Sequence, residues 1–252
     1  MFKKILAKVG IGNAEVDTRL DSSIIEPGGT LTGTIFLKGG SIEQRVEKFY
    51  LSIVANVKYQ VADAIGYKLV PFMHFDINSS FVVGVNEEVE IPFSIPIPKD
   101  IPITTFDTEV LNSNHHISIR TGVDIETAID PTDLDHITVK PTPLMSIFFD
   151  AMKKKGFRLF KTDIEEGRIQ GSKLPFYQEF EYQPPYGGYE GKIKELELTF
   201  VPSENGYTVV FEADRSKGRY NHDSIISMQL DDSVKSYEEI LPNLESTIQQ
   251  LM

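Results

Sequence analysis

The sequence predicts an all-β protein made of two antiparallel β-sandwiches. Three observations carry that expectation. Apolar side chains recur at every second position along most segments, which puts them on one face of a strand and would scatter them around a helix. Turns rich in Gly and Pro separate these segments at short intervals. The pattern then restarts after a helical stretch near the middle of the chain.

The first alternating run, Leu31/Gly33/Ile35/Leu37, follows the turn Pro27-Gly28-Gly29. The second spans Phe49 to Tyr59, where positions 49, 51, 53, 55, 57 and 59 are apolar or aromatic and most of the others are polar. Val89/Ile91/Phe93/Ile95 leads into the Pro-rich run 96–102, and Ile117/Ile119/Thr121/Val123/Ile125 follows. One buried face and one wet face is the habit of antiparallel sheets.

Residues 143–156 read differently. Leu144, Ile147, Phe148, Ala151 and Met152 fall at helical spacing, Pro143 sits where a helix starts, and Gly156 can end it. These five apolar residues are assigned to packing between the halves. Leu174/Phe176/Gln178/Phe180/Tyr182, Leu196/Leu198/Phe200 and Tyr207/Val209/Phe211/Ala213 then restore the period of two. Asn205-Gly206 marks a hairpin in which both residues are expected at positive φ. Near the end, Tyr237, Ile240, Leu241, Leu244, Ile248 and Leu251 form a helical stripe, with Ser236 and Glu239 placed for a capping box. Pro242 interrupts it, so a short turn and a helix restarting near Pro242 are expected. The domains are therefore 1–141, a linker helix over 142–156, and 157–252 with its terminal helix.

Composition bounds the function. The chain has 252 residues, 40% hydrophobic and 25% charged, which is ordinary for a globular protein and excludes disorder as its main state. Its net charge is −12. Residues 1–142 hold 12 bases against 19 acids and the remainder 13 against 18, so neither half has the basic footprint that nucleic acid requires. With no Cys, thiol catalysis, disulfides and cysteine metal sites are excluded. No run approaches the ~18 apolar residues of a membrane helix, and residues 1–10 make a poor signal peptide. A cytoplasmic protein without stable membrane insertion is expected. Phe2, Ile5, Leu6 and Val9 form a stripe about two turns long, read as packing on the N-terminal sandwich rather than on a membrane.

Residues that could carry chemistry are few. Gly187-Gly188-Tyr189-Glu190-Gly191-Lys192 has the wrong spacing for a phosphate loop, with Ile193 where Ser or Thr would hold Mg²⁺. No Gly-x-Ser-x-Gly elbow or zinc-helix signature occurs. His115 and His116 would point to opposite faces of a strand, and His74, His136 and His222 are isolated. Asp130-Pro131-Thr132-Asp133-Leu134-Asp135 reads as a turn rather than a calcium loop. Glu87-Glu88, Glu165-Glu166 and Asp231-Asp232 read as solvated faces. No catalytic, cofactor-binding or metal-ligating residue is assigned. The C-terminal stripe, Ile240, Leu244, Ile248 and Leu251, either covers its own domain or serves as a face for another protein; it is the candidate partner surface.

Several segments match more than a generic β-protein. Asp17-Thr18-Arg19-Leu20-Asp21, followed by Ile25-Glu26-Pro27-Gly28-Gly29-Thr30-Leu31-Thr32-Gly33-Thr34-Ile35-Phe36-Leu37, resembles the opening hairpin of arrestin-like domains. Phe93-Ser94-Ile95-Pro96-Ile97-Pro98-Lys99-Asp100-Ile101-Pro102 resembles their apolar-Pro signature. Residues 121–133 and Gln178-Glu179-Phe180-Glu181-Tyr182 narrow the resemblance to the SpoOM family of sporulation-control proteins, over almost the full chain. The resemblance implies two immunoglobulin-like, arrestin-type sandwiches, no catalytic residues, and a cytoplasmic regulator of sporulation or a related developmental stage that works by protein contact.

Two functions are thus weighed. One is a non-catalytic scaffold whose sheet edges bind other proteins, the same edges predicting a homo-oligomer. The alternative is an enzyme or a carbohydrate-type ligand-binding module using Tyr182, Tyr186 and Tyr189, weakened by the absence of Trp.

Overall fold

The computed structural model describes residues 14–62, 64–77, 80–106, 110, 116–126, 130–187, 189, 192–214 and 224–252. Its first half contains β1 (Glu15–Leu20), β2 (Ile24–Ile25), β3 (Thr30–Lys38), β4 (Gln44–Val61), β5 (Ala64–Ile77), β6 (Phe81–Val83), β7 (Glu88–Pro96), β8 (Ile117–Ile125) and β9 (Thr132–Val139). Helix α1 (Pro143–Lys154) leads to β10 (Arg158–Glu166), β11 (Phe176–Gln183), β12 (Glu195–Ser203), β13 (Gly206–Asp214), β14 (Ser224–Asp231) and α2 (Tyr237–Gln250). The protein is all-β with two appended helices, as its alternation predicts.

In the first half, the antiparallel sheet β1-β3-β7 packs against a sheet centred on β4. The alternation explains the pairing of faces. Leu31, Ile35 and Leu37 of β3 turn inward and are buried, as are Phe49, Leu51, Ile53, Ala55 and Val57 of β4. Each of these side chains except that of Ala55 contributes roughly 1.5–3 kcal/mol by leaving water. Gly33 is needed where β1 crosses, because a Cβ there would lie 2.5 Å from the Arg19 carbonyl oxygen.

In the second half, β10 to β14 form an antiparallel sheet in chain order, and both helices lie on one face of it. Phe148 of α1 sits edge-on at 5.3 Å from Phe200 and 6.1 Å from Phe211. The α1 boundaries follow the local signals. Thr142 caps the helix by accepting from the Met145 N–H at 3.2 Å, and Gly156 leaves it at φ +83°. The sheets of the two halves meet at one parallel bridge, Glu165 to Lys58. The Pro-rich segment after β7 also crosses to the second half. There Gln178 bonds both the N–H and the C=O of Ile103, each at 2.8 Å, and Ser172 donates to Asp100 at 2.7 Å.

Four local expectations need correction. Pro242 lies inside one continuous helix, because burial of Ile240, Leu244 and Ile248 on the core outweighs the single hydrogen bond it removes. The capping box does not form: Ser236 makes no side-chain cap, and Glu239 instead accepts from the Lys235 N–H at 3.4 Å. At the β12–β13 hairpin only Gly206 takes positive φ, at +127°, and a Cβ there would sit 2.2 Å from the Leu230 carbonyl. The Asp-rich segment read as a turn is the start of β9, with Asp133 accepting from the Thr18 N–H at 2.7 Å to tie β9 to β1. The N-terminal stripe, His115 and His222 lie outside the described residues.

Candidate functional site

The junction of the two halves is built from charge. Lys58, near the end of β4, donates to Asp163 Oδ2 at 2.9 Å and Glu165 Oε1 at 2.6 Å, both on β10. Lys161 pairs with Asp163 at 2.8 Å and with Glu181 of β11. Lys68 of β5 pairs with Glu166 at 2.6 Å. Strand geometry explains why adjacent acids find separate partners. Glu165 and Glu166 point to opposite sheet faces, and so do Lys58 and Lys68, which sit at successive register positions of the β4–β5 hairpin. The end of β10 thus grips the hairpin from both faces.

The centre of the network is desolvated, the Asp163 side chain being 3% exposed, whereas the Lys68–Glu166 pair stays in water. Burial alone would pull the Lys58 ammonium down, but hydrogen bonds to Glu165 and Asp163, with the charges of both acids, hold it above its ordinary value. Lys161 is raised for the same reasons by Asp163 and Glu181. Removing one member of such a buried network costs more than forming it gains, because a charge is left stranded.

Carboxylates outnumber ammoniums here. Glu181, Glu197 and Glu212 are cross-strand neighbours in one row, and Glu179 pairs across from Asp163 in the next. Burial, then the charges of Glu197, Glu165 and Glu181, push Glu179 up to about 8, so this carboxyl holds a proton at neutral pH. Glu195 rises to about 7 through burial and its hydrogen bond with Glu181. In the first half Asp135 rises to about 6 through burial and the neighbouring Asp133, and its Oδ2 is buried without a partner among the described residues.

The β4–β5 hairpin that carries Lys58 also presents an open edge. β5 pairs with β4 alone, and among the described residues no strand lies on its other side. Ile65, Tyr67 and Leu69 project from one face at 61, 40 and 46% exposure. Pro71 and Lys68 blunt the edge in part, leaving Ala64–Val70 as its longest Pro-free reach.

The residues singled out in the sequence fall as follows. The C-terminal stripe does not form a partner surface. Ile240, Leu244, Ile248 and Leu251 are at most 4% exposed and join the protein's own core, since a helix lying on a sheet must bury its apolar side there. Leu144, Phe148, Ala151 and Met152 are buried in the same core, and Ile147 packs against it. Tyr182, Tyr186 and Tyr189 do not form one platform: Tyr182 is buried, Tyr186 is fully exposed, and Tyr189 packs tilted against Phe157. Among the described residues no group of His, Asp or Glu is placed to hold a metal ion, and no helix is long and apolar enough to cross a membrane.

One arrangement escaped the sequence. Ser52 Oγ lies 2.9 Å from His74 Nδ1, whose Nε2 lies 2.9 Å from Asp76 Oδ1. The order resembles a hydrolase relay, but Ser52 is only 5% exposed, and none of these residues lines a cavity described for the chain. The cross-strand register Ser52–His74 creates it, and alternation alone does not reveal register.

Comparison with known proteins adds identity to this geometry. The family model for SpoOM protein matches residues 2–217. The sporulation-control protein spo0M of Bacillus subtilis (strain 168) is 36% identical over 216 residues, covering 85% of this chain and 80% of that protein. The crystal structure of Spo0M, sporulation control protein, from Bacillus subtilis superposes with a TM-score of 0.85 at 30% identity, covering 96% of this chain and 100% of the other.

Proposed function

This chain belongs to the SpoOM family, and from that premise we propose that it is a non-catalytic regulatory scaffold that works through contacts with other proteins. The observation that carries this reading is the open β5 edge, with Ile65, Tyr67 and Leu69 in water beside unpaired backbone groups. A strand from a partner added there gains main-chain hydrogen bonds and covers those three side chains. The β4–β5 hairpin is held to the second half by Lys58 and Lys68, so a strand docked on β5 pulls on the ion network at the junction. Contact at the edge and the relative placement of the halves are thereby coupled. The relative's name supports control of sporulation as the process regulated; the cytoplasm is the compartment this reading proposes. A second copy of the chain is one partner the edge accepts.

The test is affinity capture from the native cell with the full chain and with an Ile65→Lys/Leu69→Lys variant. Both positions are exposed, so the variant keeps its melting temperature. It loses the proteins that the wild type retains. Retention of the same proteins by both overturns β5 as the contact. Light scattering at micromolar concentration reads self-association, and monomer alone removes the homo-oligomer.

A further inference from the structure

We propose that the cavity between α1 and the start of β10 binds a single-chain amphiphile with a monoanionic head, of the class of a medium-chain carboxylate. The cavity encloses about 340 Å³. At the ~30 Å³ of a water-sized group this is room for roughly ten methylenes. Its walls are Phe106, Pro141, Phe149, Phe157, Leu159 and Tyr182, an apolar surface suited to a hydrocarbon chain.

The remaining lining residues choose the head group. Asp150, Lys153 and Arg158 also line the space. Among the described residues neither cation forms an ion pair with a carboxylate, although acids outnumber bases by 12 across the chain. Among the described residues the Arg158 guanidinium meets only the Gln183 amide oxygen, one of the several contacts its five N–H donors can make. Two cations and one acid give this part of the wall a net charge of +1. That balance favours a monoanion and disfavours a phosphate dianion, which would face Asp150 with excess charge.

Tyr182 is 2% exposed and lines the same cavity, its phenol ring adding to the apolar wall.

The experiment is titration calorimetry of the full chain with decanoate, decanol and decyl phosphate. Decanoate binds one to one and saturates below about 1 mM; decanol and decyl phosphate bind at least tenfold more weakly. A Lys153→Glu/Arg158→Glu variant, altered at two exposed positions, weakens decanoate at least tenfold and leaves decanol unchanged. Ser146→Phe, which fills the cavity, abolishes binding of all three. Absence of saturable decanoate binding overturns the proposal. So does decanoate affinity unchanged in the charge-reversed variant, or decanol binding as tight as decanoate.

Discussion

Replacing Glu179 by Gln makes the protein more stable at alkaline pH and leaves it nearly unchanged in mild acid. Glu179 is drawn from an ordinary 4.5 up to about 8 by burial and by Glu197, Glu165 and Glu181 around it. The folded chain therefore keeps a proton that the unfolded chain releases above about pH 4.5. For a carboxyl raised on folding, stability is full below the unfolded value and falls as pH climbs from about 4.5 to about 8. Linkage over that window sets a ceiling of about 5 kcal/mol. Residual solvent contact reduces this to about 2 kcal/mol. Gln keeps the shape of the protonated form and has no proton to lose. Urea unfolding of both proteins between pH 5 and 9 reads the effect. At about 2 kcal/mol per molar urea, the midpoint of Glu179→Gln rises by about 1 M above wild type at pH 8.5, and the two coincide at pH 5. Parallel curves across the whole range would refute the account of the acidic face.

Three further outcomes follow from the packing and the junction. Lys58→Met strands Asp163 with Lys161 as its remaining cation and costs about 2–3 kcal/mol in urea unfolding at pH 7; a double-mutant cycle with Asp163→Asn returns a favourable coupling above 1 kcal/mol. Phe148→Asp sets a carboxylate against Phe200 and Phe211, costs about 4 kcal/mol or more, and lowers the calorimetric melting temperature by 10 °C or more; an unchanged value would mean that α1 does not pack on the sheet. Gly206→Val meets both the positive φ and the Leu230 carbonyl, costs about 2–3 kcal/mol, and shows as faster amide exchange in β13 and β14.

Strands that bury one face and wet the other were legible as strands. β3, β4 and β11 to β13 alternate because the sheet sorts their side chains between core and water. β5 was not legible. None of its residues is fully buried, its period breaks at the register shift opposite Ile53 and Val54, and its Ile65, Tyr67 and Leu69 sit in water while Met73, Phe75 and Ile77 pack against the core. β9 was hidden by Asp133 and Asp135, which point inward where apolar residues were expected; Asp133 is there to accept the Thr18 amide. The C-terminal stripe announced a buried face, but an apolar helix side does not say whether its cover is the same chain or another. Pro242 misled because its local cost was weighed without the burial that offsets it. The junction network was invisible for a different reason: Lys58 and Asp163 are 105 positions apart, and only register brings them together.

Hydrogen–deuterium exchange of the full chain, with and without a protein recovered by capture, bears most directly on the claim that β5 is where partners dock. Amides of Ala64–Val70 exchange rapidly on the free outer edge. The account predicts that those amides slow at least tenfold in the complex, together with amides flanking Lys58. Protection confined to α2 or to the β1-β3-β7 sheet, with Ala64–Val70 exchanging at its free rate, would contradict it.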